Sequence, residues 1–241
     1  MPTTTMTGRR GSRGARRGRA SSGVSFEQRL RDAALAVVAE HGLAGLTMAR
    51  LAERLGGSRM TLHRRGFGRD DVVALLAAHA ADEYLRAVWP ALTATGSGRE
   101  RLEQALRALC AVADRYAPLL VGLYADDGGI FHEVDAAEAG APEPDRVVAT
   151  RRVFVAPLAR LLRDGDADGT LRLRGPDPDS TATVVFNQVG WTYLALRVGQ
   201  RWPADRATDA VVDLALNGLA TAPAQPARDQ ARPARPAASS R

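Results

Sequence analysis

The residues best suited to chemistry form a short basic cluster: Ser58, Arg59, Met60, Thr61, His63, Arg64 and Arg65, with Arg69 just beyond and Thr47 before it. Arginine donates two hydrogen bonds to guanine O6 and N7, and threonine meets a thymine methyl or a phosphate. This is chemistry for reading nucleic acid rather than for breaking bonds. The competing bland reading is a solvated helical hairpin with a charged face.

The other constellations are weaker. "DGDADGT", residues 164–170, begins like a calcium loop with Asp164, Asp166, Asp168 and Gly169. Such a loop needs a bidentate glutamate at its twelfth position, and Gly175 stands there. A polar turn ending a helix is the expectation. The four histidines, His41, His63, His79 and His132, lack metal-ligand spacing. There is no GxGxxG, no Walker loop and no GxSxG, so neither an enzyme nor a cofactor is expected. The one cysteine, Cys110, cannot form an internal disulfide, which fits a reducing compartment.

The basic cluster needs elements to hold it. Thr47 is placed to cap a helix that runs through Leu51, Ala52 and Leu55. Gly56 and Gly57 break that helix, since glycine readily takes the left-handed conformation that a side chain resists. Ser58 can then cap a new helix, with Leu51, Leu55 and Leu62 as inward anchors. Helix, glycine turn, helix is the helix-turn-helix pattern. A preceding helix carries Phe26, Leu30, Ala33/Ala34 and Val37/Val38 at helical spacing, capped by Ser25 and ended at His41-Gly42.

The rest of the chain also reads as helical. Helices are expected from about Asp70 to Trp89, stopping before Pro90, from Arg99 to Tyr116, and from Pro118 to about Tyr124. Others fit Val147–Arg163 (kinked at Pro157), Ser180–Val198 and Asp205–Ala220. Residues 126–145 read as irregular. The fold class is all-α with about nine helices. Residues 1–23 form a basic arm with six arginines and no acid, and 222–241 form a Pro/Ala/Arg-rich tail; both are expected to be disordered. Between them lie a helix-turn-helix domain, 24–70, at net +3, and a helical domain, 71–221, at net −6. All 33 basic residues are arginine, which a GC-rich genome would favour. The charge asymmetry points to a polyanion partner for the amino-terminal end. No apolar run reaches membrane-spanning length, so a cytoplasmic protein is expected.

"GLAGLTMARLAERLGGSRMTLHRR" followed by "GRDDVVALLAAH" resembles the TetR (tetracycline repressor) family of one-component bacterial regulators. Gly42, Gly45-Leu46-Thr47, Leu51-Ala52, Leu55-Gly56, Ser58, Thr61-Leu62, Arg64 and Arg69-Asp70 carry the resemblance, over residues 24–75. The chain departs from the family at three points. Gly57 replaces a small apolar residue, His63 replaces a tyrosine that typically reaches a phosphate, and Gly66 displaces the following aromatic to Phe67. Gly66 is expected to loosen the exit from the third helix.

The resemblance implies a ligand-responsive transcriptional regulator, a repressor by expectation, that binds palindromic operator DNA as a homodimer. It implies pairing of the last two helices with their copies, through stripes that include Val184, Val185, Val211, Leu214 and Leu219. An unknown small-molecule effector would sit in the second domain, with Trp89, Tyr116, Tyr124, Phe154, Asn187 and Trp191 as candidate walls. The rivals are a small-molecule-binding protein or enzyme with an incidental helix-turn-helix, and an architectural DNA binder driven by the arginine tails. Footprinting separates them: a discrete palindrome, no binding, or diffuse coverage.

Overall fold

The computed structural model describes residues 25–127, 151–173 and 177–219. The expected arm, the tail, His132 and most of the irregular stretch lie outside them. Nine α-helices and no strand occur among the described residues.

Each early helix begins on the side chain the sequence offers. α1 (Phe26–His41) is capped by Ser25, whose hydroxyl accepts from Gln28 N–H. α2 (Met48–Arg54) is capped by Thr47, accepting from Arg50 N–H, and α3 (Arg59–Arg64) by Ser58, accepting from Thr61 N–H. These bonds satisfy amides that have no partner within the helix. The ends are equally local. Gly56 is left-handed at φ 66°, so Gly56 N–H reaches Glu53 O at 3.0 Å and Gly57 N–H reaches Ala52 O at 2.9 Å. That pair of bonds is a Schellman closure.

α3 ends in the same way. Gly66 is at φ 79°, its N–H donates to His63 O at 2.9 Å, and Phe67 N–H donates to Leu62 O at 3.1 Å. The expected loose exit is therefore a closed one. The displaced aromatic now has a reason, because Phe67 occupies the position whose apolar contact normally seals this motif.

α4 (Arg69–Thr93) has 25 residues and passes through Pro90 rather than stopping before it. Proline removes one helical hydrogen bond, the one to Arg86 O. Both Pro90 and Arg86 are exposed, so water can serve that carbonyl. Beyond Pro90, Ala91 is fully buried, and Arg101 of α5 (Gly98–Arg115) donates to Ala91 O at 3.0 Å and Leu92 O at 3.2 Å. Arg101 also pairs with Asp164 at 3.0 Å. The packing gained past the proline outweighs the lost bond.

α6 (Ala117–Asp127) follows. After residues 128–150 comes a π-helical turn, Arg151–Val155, leading into α7 (Ala156–Ala167). Pro157 comes just after that π turn, so the helical run Arg151–Ala167 changes its hydrogen-bond register next to the residue that lacks an N–H. α8 (Pro178–Leu194) is capped by Asp177 and runs into a second π turn, Ala195–Gly199; α9 is Ala204–Leu219.

Two apolar cores result. One is built from α1, α2, α3, the start of α4, and Tyr116, Leu119 and Leu123 around α6. The other joins the far half of α4 with α5, α7, α8 and α9. A single stripe on α4 serves both: Val72, Leu76 and Ala80 in the first, Tyr84, Val88 and Ala91 in the second. Steps of four residues, with one of three from Val88 to Ala91, make a stripe that winds slowly round the helix, which is how it can face one core and then the other.

The acidic stretch at 164–170 caps a distant helix. Asp168 accepts from Gly98 N–H at 2.6 Å and from Thr170, while Thr170 Oγ1 accepts from Arg99 N–H at 3.2 Å. This carboxylate and this hydroxyl serve the first amides of α5. Among the described residues no group of histidine, cysteine or acids could hold a metal.

Candidate nucleic-acid interface

The α2–turn–α3 unit is held from below by Leu51 and Leu62, both buried, while Leu55 is half-buried. With Leu62 fixed inward, the remaining faces of α3 turn outward. Arg59, Met60, Thr61, His63, Arg64 and Arg65 are all exposed, Met60 by 65%.

The cluster is not uniform. Arg59 and Arg64 have no hydrogen-bond or ion-pair partner among the described residues. Their N–H donors are available to an incoming acceptor. Thr61 shares its hydroxyl with Ser58 at 3.0 Å, so both hydroxyls serve the start of α3. Thr47 likewise works as a cap. Arg65 lies over the Phe26 ring, its Cζ 4.0 Å from the centroid. Arg69 donates to Leu43 O at 3.4 Å, across to the α1–α2 connection. Two further arginines have structural duties: Arg54 pairs with Glu40 at 2.7 Å, and Arg50 donates to Gly45 O at 2.9 Å. The Arg54 hydrogen bond holds the Glu40 carboxyl below its usual range.

The candidate ligand residues do not all meet. The Tyr124 and Trp191 rings meet at a tilt of 47° with centroids 4.7 Å apart, and Trp191 Nε1 donates to Asn187 Oδ1 at 3.2 Å. Asn187 in turn donates to Thr183 O. Phe154 belongs to a separate trio: it lies 5.3 Å from Tyr84 and 5.4 Å from Phe186, and accepts from Tyr84 Oη at 2.9 Å through its carbonyl. Tyr116 is elsewhere, buried in the helix-turn-helix core and edge-on to His79 at 6.0 Å. Burial holds His79 below the usual histidine range, with the charge of Arg31 adding to the effect.

Trp89 is not with them. It is 62% exposed and has no ring contact among the described residues. Its predecessor Val88 takes the inward position on the α4 stripe. Tyr84 and Phe186 are not among the candidate walls read from sequence, and the signal for Tyr84 was present in its four-residue register with Val72, Leu76 and Ala80. The apolar stripes of α8 and α9 also divide: Val185 and Val211 are buried in this chain's own core, while Val184 and Leu214 are each 63% exposed. The side chain of Leu219 lies outside the described set.

Comparison with known proteins agrees with this geometry. Residues 30–65 match the family described as bacterial regulatory proteins, tetR family. No curated protein sequence matches the chain. Many solved structures share the fold. A TetR/AcrR-family regulator from Thermobifida fusca superposes with a TM-score of 0.57 at 20% identity, covering 80% of this chain and 97% of that one. SmeT, repressor of the Stenotrophomonas maltophilia multidrug efflux pump SmeDEF, gives 0.58 at 16% identity, covering 82% and 91%. A regulator from Saccharomonospora viridis solved with choline gives 0.63 at 15% identity, covering 81% and 98%. Residues 30–65 thus match the tetR-family regulatory segment, and the described chain shares its fold with TetR-family regulators of known structure.

Proposed function

We propose that the chain is a ligand-responsive repressor that binds palindromic operator DNA as a homodimer and is released by a small molecule. One observation carries the reading: α3 is capped, sealed and anchored at Leu62, yet presents Arg59 and Arg64 without partners. A short rigid helix with unpaired guanidinium groups suits the major groove, where its first residues meet base edges. Arg59, Met60 and Thr61 take that role, with His63 and Arg64 toward the phosphates.

The exposed Val184 and Leu214 support pairing of α8 and α9 with their copies. The Tyr124–Trp191 pair and the Tyr84–Phe154–Phe186 trio support an effector site in the second core. An effector acts by preferring the conformation in which the two recognition helices are wrongly spaced. The chain then works in the cytoplasm, where the DNA is.

Selection of bound duplexes from a random pool tests the reading. A recovered inverted repeat, with half-sites about one helical turn apart, supports it. Recovery of no shared sequence, with binding that tracks only length and salt, would make the protein an architectural binder instead.

A further inference from the structure

We propose that Phe26 is a positioning residue for DNA binding: its ring holds the Arg65 guanidinium as a preset phosphate contact. The inference rests on the DNA-binding reading above and assigns roles within it.

The sequence of α3 would suggest that Arg64 and Arg65 are equivalent. The structure separates them. Arg65 is the residue at which α3 ends, and Gly66 then turns the chain through its left-handed conformation. That turn delivers Phe67 back toward the core, where its ring meets Phe26 at 5.9 Å. Phe26 opens α1 and is half-buried, so its ring is held from one side by Phe67. Arg65 lies on this ring at 4.0 Å. The closure at Gly66 therefore fixes both the backbone that launches Arg65 and the platform that receives it.

A guanidinium stacked on a ring uses its face and leaves its in-plane N–H donors free. Arg65 has no acidic partner among the described residues. Its place argues against base reading. Base edges are met by the amino-terminal residues of a recognition helix, and Arg65 is six positions beyond Arg59, roughly 9 Å along the axis. The major groove is about 12 Å wide, so a group at that end reaches the wall, which is phosphate. Arg64, lacking such a platform, must be ordered by the DNA itself.

The test uses the full chain and a fluorescein-labelled DNA duplex of mixed sequence, with affinity measured by anisotropy between about 50 and 200 mM salt. Arg65→Ala is expected to lower the slope of log affinity against log salt by about 0.9 per protomer, whatever the duplex sequence. Phe26→Leu, which keeps an apolar side chain, is expected to weaken binding several-fold, while Phe26→Trp, which keeps a ring, restores it. Arg65→Lys keeps the charge but not the planar stack, so it should retain the slope and no longer respond to Phe26→Leu. In the Arg65→Ala background, Phe26→Leu should change affinity no further. Thermal melts accompany each variant, and the Arg65 arms stand even where Phe26→Leu unfolds. An unchanged slope in Arg65→Ala, equal losses with leucine and tryptophan at Phe26, or full additivity of Phe26→Leu and Arg65→Ala overturns the proposal and leaves the DNA-binding reading intact. Absence of binding by the wild-type chain to any duplex at the lowest salt overturns both.

Discussion

Replacing Gly122 by alanine measures how closely α6 is seated on the helix-turn-helix unit. A Cβ built at Gly122 would lie 2.3 Å from Leu43 Cβ. Carbon atoms in contact sit about 3.5–4.0 Å apart, so the new methyl is too close by roughly 1.2 Å or more. Leu43 is buried and sits at the turn between α1 and α2, so it has no room to withdraw. Overpacking of this kind costs about 1–3 kcal/mol. Against it stands the preference of a helix for alanine over glycine, about 1 kcal/mol. The net expectation is a loss of up to about 2 kcal/mol, or a Tm lower by up to roughly 8 °C in a domain of this size. Gly190, inside α8, is the control. A Cβ there meets nothing within 4 Å, so Gly190→Ala should keep only the propensity gain and raise Tm by about 2–4 °C. Leu43→Ala should not rescue Gly122→Ala, because the clashing Cβ remains. Scanning calorimetry on the three variants decides the matter. Upward shifts of equal size for both glycine substitutions would refute the claimed contact between α6 and Leu43.

Three further outcomes are expected. Arg59→Ala should cost about 1–3 kcal/mol at a selected site and relax preference at one base position; uniform weakening on all duplexes would make Arg59 a phosphate contact. Leu214→Arg should give a folded monomer by analytical ultracentrifugation that binds DNA poorly, since Leu214 is exposed and its own core does not need it; a mutant that remains dimeric would remove α9 from the interface. Asp168 is held below the ordinary 3.8 of an aspartate by its bonds to Thr170 and Gly98 N–H. A carboxyl with a depressed folded pKa contributes stability above its unfolded value and loses it as pH falls through the folded one. Stability should therefore decline as pH drops from about 4 toward 2, and Asp168→Ala should flatten that part of a melting-temperature profile.

What could be read from sequence was what is decided within a few residues. Ser25, Thr47 and Ser58 cap helices with bonds three residues long, and Gly42 and Gly56 end them by their own backbone freedom. What could not be read was decided across the fold. Pro90 is carried inside α4 because Arg101 and the burial of Ala91 act from outside it. Asp168 caps a helix 70 residues away. Aromatic type alone does not say which face a side chain takes: Trp89, a candidate pocket wall by sequence, is exposed, and register puts Tyr84 on the buried stripe. The Phe26–Phe67–Arg65 stack needs α1 brought beside the end of α3, and no local pattern announces it.

The grip of Arg101 on the end of α4 has a mechanical consequence. One guanidinium fastens the last carbonyls of that helix to Asp164 of α7, so its far end is fixed to the second core. The other end carries the helix-turn-helix unit. A helix of 25 residues at about 1.5 Å each is a cantilever roughly 37 Å long. A tilt of about 5° at the fastened end becomes about 3 Å at the other, provided that α6, which packs on the helix-turn-helix core, moves with it. That is close to the rise of one base pair, so on the DNA-binding reading proposed above a disturbance too small to rearrange the second core would be enough to put α3 out of step with the groove.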